Sequence, residues 1–289
     1  MKCRDCGNEL AVNARGCPRC ARNVAAERAI EVRIRLFLIL FLLGFAGVLS
    51  VLLIDLSALA AMIPAAKDAP PITPAIKILS LIQPTALVGV AVLIGVVLAP
   101  KVGLAAPASE SLAAGRRFLP DLRVQLIPGV LGGIIGGLSI LLAHAVFKPL
   151  LTTETLERVA KFGALLPMTT RLLYGGLTEE VLIRWGLLTL FVWIAWRLFQ
   201  KRLAKPTGGC FIAAILVTSV VFGLGHLPIA IVVLPQITLA VVLFVIVANS
   251  AFGIVAGYLY WKHGLEAAMI AHVICHVVLA LASRAGAYF

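Results

Sequence analysis

The sequence predicts an all-α fold, a polytopic transmembrane bundle of about eight spans carrying a small N-terminal zinc ribbon. Three observations predict it. Of 289 residues, 61% are hydrophobic and only 13% charged, with a mean hydropathy of +1.05. Soluble domains average about 45–50% apolar and about 25% charged residues. This composition therefore excludes a water-soluble enzyme with one buried core, and also a disordered chain, which needs low hydrophobicity. Second, apolar stretches recur at about the 20-residue length that a helix needs to cross a bilayer. Third, four of the six cysteines fall within the first 20 residues.

Residues 1–24 read as a separate module. Cys3, Cys6, Cys17 and Cys20 give C-x2-C-x10-C-x2-C. Two such knuckles place four thiolates around one tetrahedral zinc ion. Gly7 follows the first knuckle, Gly16 precedes the second and Pro18 sits within it; glycine eases the tight turn a knuckle makes. The segment has almost no large apolar residues, so a structural zinc must stabilise it. Two disulfides are the competing reading, and the paired spacing suits metal better. Its role is structural or binding, such as recruiting a cytosolic partner.

Residues 25–35 carry Arg28, Arg33 and Arg35 against Glu27 and Glu31 and read as a polar helical linker. No cleavable signal peptide is expected, because a polar segment of about 35 residues precedes the first apolar run. Residues 36–159 then hold the N-terminal transmembrane helices and residues 160–289 a second helical unit. Spans are expected near 36–56, 78–99, 124–147, 162–196, 210–228, 230–248, 249–262 and 265–283, the fourth kinked or split near Gly186. Pro64, Pro70, Pro71 and Pro74 mark the first loop. Gly132, Gly133, Gly136 and Gly137 make two overlapping G-x-x-x-G pairs that admit a close helix neighbour, and Gly253 and Gly257 repeat the device.

The formal net charge is +12, from 25 Lys+Arg against 13 Asp+Glu. The basic residues sit in loops beside apolar runs, where they set topology and meet anionic headgroups; they do not point to a nucleic-acid partner. Residues 1–35 hold eight Lys/Arg, while residues 57–77 hold only Lys67 and Lys77. The segments around Arg116, Arg117 and Arg123, and around Lys201, Arg202 and Lys205, are also basic. The N-terminus is therefore expected to be cytoplasmic, and a thiolate zinc site agrees with a reducing compartment. An integral protein of a bacterial cytoplasmic membrane is the expected setting.

Ionisable residues inside a span are costly and mark function by default. Glu179 and Glu180 lie together in the fourth apolar stretch, with Arg184 after them, as E-E-x-x-x-R. Glu180 and Arg184 can pair at i,i+4, which leaves Glu179 to face something else. His226 follows Phe222 by one turn, and His272 and His276 share one helix face. His144 and His263 fall at span ends and read as interfacial. Such a set suits hydrolysis. A desolvated glutamate can act as general base and a histidine can hold the attacking water. Another donor can meet the oxyanion. Alternatively, Glu179, His226, His272 and His276 are ligands enough for a catalytic metal, although H-E-x-x-H is absent.

These three motifs, Glu179-Glu180-x-x-x-Arg184, Phe222-x-x-x-His226 and His272-x-x-x-His276, resemble those of the CPBP (Abi) family of intramembrane proteases. That group includes type II CAAX prenyl endopeptidases and proteins tied to bacteriocin self-immunity. The resemblance covers roughly residues 160–283. It implies a helical bundle with the site in an intramembrane cavity, and a peptide or protein substrate at the bilayer. It implies that Glu179 and His226 activate water, that His272 helps stabilise the oxyanion, and that Glu180 and Arg184 support the site and position substrate. The third family motif usually ends in Asn where this chain has His276, which keeps a metal-binding reading open beside oxyanion donation. A non-catalytic scaffold or immunity-type protein that binds a peptide partner is the alternative. A transporter is a third class, but residues 1–150 hold no second copy of the acidic and histidine set.

Overall fold

The computed structural model describes residues 6, 8, 9, 11, 20, 24–63, 72–234, 236–286 and 288. Cys3 and Cys17 lie outside them, and with them the predicted ribbon. Among the described residues there are helices and no β-strands, and seven helices are long and apolar enough to cross a membrane. These spans are Ala26–Leu53, Pro74–Val102, Leu119–Leu150, Met168–Phe199, Gly208–Val233, Leu239–His263 and Leu265–Arg284. The linker at 25–35 is helical and runs without a break into the first span.

The count is one below the eight apolar runs, because 230–248 and 249–262 do not form separate spans. Asn249 and Ser250, at the expected break, turn their hydrogen bonds into the bundle. Asn249 Nδ2 donates to the Val245 carbonyl at 2.8 Å, and Ser250 Oγ donates to the Ser219 carbonyl at 3.0 Å. The helix instead starts after Thr238, whose hydroxyl accepts from the Val241 amide. The fourth span is not split at Gly186 but runs unbroken from Met168 to Phe199. A Cβ at Gly186 would lie 2.6 Å from that of Ala91, so this glycine serves close packing against the second span. What sets the fourth span apart is its winding. Arg171–Glu179 and Val181–Leu188 are π-helical, and only the flanks Met168–Thr170 and Thr189–Phe199 are α-helical. π-turns are rare and concentrate at functional sites.

The third span is the packing axis. Gly129, Gly133 and Gly137 face Ile270, Ile274 and Val278 of the seventh span, and Gly132 and Gly136 face Leu259 and Phe252 of the sixth. A Cβ at any of these five would come within 2.8 Å of its neighbour, so the small-residue stripe does set helix approach. His144, near the end of the third span, packs inside the bundle. It is buried, with the Phe244 ring centroid at 6.3 Å and the Tyr288 ring edge-on at 5.1 Å.

A polar latch ties the start of the seventh span to the loop before the third. Glu266 Oε1 accepts from both the amide and the hydroxyl of Ser109 at 2.8 Å, and its Oε2 from Gln125 Nε2 at 3.2 Å. Gln125 Oε1 in turn accepts from the Ala267 amide, and the Leu265 amide donates to the Ala105 carbonyl. Helix-start amides that would otherwise be orphaned are thus satisfied. Glu110, in the short helix Pro107–Ala113, accepts from the Ala106 amide at 3.0 Å. Burial raises its pKa above the ordinary 4.5, and the nearby Glu266 adds to this, while the Ala106 amide and Arg116 oppose it. A raised folded-state pKa means that ionised Glu110 opposes folding at neutral pH, and that the cost fades as pH falls through 4.5. Glu110→Gln keeps the acceptor and removes the charge. It should raise the thermal midpoint by about 2–4 °C at pH 7, and the gain should vanish near pH 4 in melts followed by circular dichroism.

Candidate active site

The residues singled out from the sequence converge at the fourth, fifth and seventh spans. Glu180 is fully buried at the junction of the two π-helical segments. Its Oε2 lies 3.2 Å from Arg184 Nε, a distance for an ion pair but without hydrogen-bond alignment. Its Oε1 is 2.7 Å from Nδ1 of His272. The guanidinium of Arg184 stacks over Phe222 at 4.9 Å and Phe252 at 5.7 Å, and its Nη2 donates to the Gly253 carbonyl at 3.2 Å. Such cation–π contacts gain strength when water is excluded. The i,i+4 pairing expected from the sequence is present, and it is also joined to His272.

Glu179 is turned away from that pair. It is 22% exposed and lines a cavity of about 590 Å³ together with Phe222, His226, His272 and His276. Glu179 Oε2 is 3.8 Å from His272 Nε2, close enough for one water to touch both. His226 Nδ1 lies 2.8 Å from the Phe222 carbonyl. A carbonyl only accepts, so Nδ1 carries the proton and Nε2 presents a lone pair. The F-x-x-x-H spacing is what brings Nδ1 to that carbonyl. The His226 and Phe222 rings meet edge-on at 4.7 Å. An ionised Glu180 orders His272 in the same way, with Nδ1–H held and Nε2 free.

His276 stacks on His272 with ring centroids 4.9 Å apart and planes 17° from parallel. Both rings press on Gly175, where a Cβ would stand 2.5 Å from His276 Nε2 and 3.3 Å from His272 Nε2. Glycine at 175 therefore lets the π-helical backbone approach two imidazoles. Among the described residues no three His, Cys, Asp or Glu side chains are grouped to hold a metal ion. The geometry thus does not fit the four residues as a ligand set, and no step below passes through a metal.

Sequence reasoning missed several cavity residues. Asn249 lines the cavity from the sixth span, and its position mid-helix in an apolar run was the available signal. Phe252 packs on His272 at 4.3 Å. Arg171 lines the cavity at the start of the fourth span, donating through Nε to the Leu166 carbonyl at 3.1 Å and through Nη2 to the Gly163 carbonyl. It thereby fastens the end of the amphipathic helix Thr153–Leu165, a cavity wall, to the span that carries Glu179. Nothing local in the sequence announces that tie.

Comparison with known proteins gives one family. Residues 161–278 match the family described as type II CAAX prenyl endopeptidase Rce1-like. No curated protein and no solved structure matches the chain. The matched stretch contains Glu179, Glu180, Arg184, His226, His272 and His276. Seven apolar helices make this an integral membrane protein, and the stretch that carries the candidate site, residues 161–278, is similar to the type II CAAX prenyl endopeptidase Rce1-like family.

Proposed function

We propose that the chain is an intramembrane endopeptidase that hydrolyses a peptide bond with water activated by Glu179 and His226. The observation that carries this reading is that two hydrogen-bond acceptors, the Glu179 carboxylate and His226 Nε2, line the same cavity. The Glu179 carboxylate and the His226 Nε2 lone pair can each take one hydrogen of a single water. That aims the water's own lone pair at a substrate carbonyl. Glu179 takes the proton as the C–O bond forms, and the carbonyl oxygen becomes an oxyanion. His276, whose neutral ring always carries one N–H, donates to that oxyanion. The resemblance implies oxyanion donation by His272, but with its Nδ1–H held by Glu180 its Nε2 has no proton to donate; Nε2, beside Glu179, instead relays the proton to the departing amine as the C–N bond breaks. Glu180 and Arg184 hold His272 in place. Alanine at Glu179 or His226, assayed for substrate cleavage in membranes, tests the reading: cleavage that persists in both variants overturns it.

His276 separates this reading from a metal mechanism. His276→Asn keeps a donor, so it should retain most activity, within about tenfold, and activity should be insensitive to a strong chelator. An inactive variant that has also lost a stoichiometric metal, with zinc retained by residues 1–24, contradicts the assignment. Those N-terminal residues are themselves proposed to hold one structural zinc through Cys3, Cys6, Cys17 and Cys20. Deleting residues 1–24 should remove about one zinc per chain and leave the bundle folded, as read by elemental analysis and circular dichroism.

A further inference from the structure

The cavity belongs to one end of the bundle. Its wall includes Val51 at the end of the first span, Leu151 just past the third, Arg171 at the start of the fourth, Val233 at the end of the fifth, Val241 at the start of the sixth and Ser283 at the end of the seventh. The amphipathic helix Thr153–Leu165 covers the same end. Val159 and Phe162 face the cavity, and Glu154, Glu157 and Lys161 are exposed. An amphipathic helix of this kind lies along the membrane interface. The opposite end is the one closed by the Glu266, Ser109 and Gln125 latch.

Charge divides along the same line. Two interspan segments, residues 103–118 and 200–207, flank the latch end, where the first span also begins after residues 1–25 of the sequence. Together these three stretches hold ten Lys/Arg against three Asp/Glu. The segments at the cavity end, residues 54–73, 151–167 and 234–238, hold three Lys/Arg against four Asp/Glu. Short loops rich in Lys and Arg stay on the cytosolic side, and acids contribute little to that choice. Both loops at the latch end follow the rule, so the orientation does not hang on the N-terminal segment alone.

From the shared placement of the cavity mouth and the acidic loops, we infer that the site opens on the non-cytosolic face, and that its substrate is the outer juxtamembrane stretch of a membrane-anchored polypeptide. The orientation stands on geometry and charge, whereas the substrate class rests on the protease reading. The apolar walls, with Ile140, Phe244 and Leu279 among them, suit a chain that emerges from lipid. A cytosolic peptide meets only the closed, basic end.

The test uses the full chain in intact cells with a membrane-impermeant maleimide, and the labelling of the parent chain is subtracted. Glu154→Cys and Glu157→Cys should label without permeabilisation. Lys201→Cys and Lys205→Cys should label at least about tenfold less until the membrane is opened, since a charged reagent cannot cross the hydrocarbon core. All four positions are exposed, so substitution there leaves the bundle intact, and two variants per face guard against one failing to fold. The reverse pattern overturns the orientation. Polypeptide termini that depend on Glu179 should map just outside the outer ends of spans, and termini on the cytosolic side overturn the substrate class. If no Glu179-dependent termini appear, the protease reading and its substrate fall together, while the labelling still decides the orientation by itself.

Discussion

Glu179→Gln should lower the rate of peptide hydrolysis by about a hundred- to ten-thousand-fold with the fold retained. Glutamine keeps the volume and one acceptor oxygen but cannot take a proton from water. The carboxylate makes no buried ion pair with Arg184 and stands 3.8 Å from His272 Nε2, at the cavity wall. Its loss therefore removes chemistry and little structure. Thermal midpoint and gel-filtration profile should match those of the parent chain. Full activity in this variant sinks the assignment of Glu179 as the base that activates water.

Arg184→Leu should have the largest effect on stability. Both members of the Glu180–Arg184 pair are almost wholly buried, at 0% and 1% exposure. Removing one partner of such a pair costs about 3–5 kcal/mol, because the remaining charge is stranded. That is a large share of the about 5–15 kcal/mol by which domains are stable. Arg184→Leu should thus accumulate poorly and melt well below the parent chain. Glu180→Gln strands the guanidinium instead, but its amide oxygen can still accept from His272 Nδ1, so some of the site's order survives. The double variant Glu180→Gln/Arg184→Leu leaves no stranded charge and should be more stable than either change summed with the other. Strict additivity in melts of the three variants contradicts the coupling drawn here.

The Glu180–Arg184 pair and the outward turn of Glu179 were legible because they depend on neighbours within one helix. The wider π-turn does not separate residues four apart, so i,i+4 reasoning survived an unexpected helix type. The glycine stripe of the third span was legible for a related reason: small residues at fixed spacing declare a close neighbour, though not which one. The second partner of Glu180 was not legible. His272 lies 92 residues later, and periodicity carries no information about which spans meet. The same holds for Arg171, which binds carbonyls of another helix, and for His144, whose burial depends on Phe244 and Tyr288. The span count erred where a polar dipeptide, Asn249-Ser250, imitated a loop. In water such residues end helices, but in a bundle their side chains find carbonyls on their own or the neighbouring helix.

The central claim is that a peptide bond is hydrolysed at Glu179 and His226. It is tested most directly in membranes incubated in water enriched in heavy oxygen, with either the parent chain or Glu179→Gln present at equal abundance. New polypeptide termini are then mapped by mass spectrometry. The account predicts a set of cleavage sites that appears only with the parent chain, each new carboxyl terminus carrying one heavy oxygen from the attacking water. Identical termini with both proteins would contradict it.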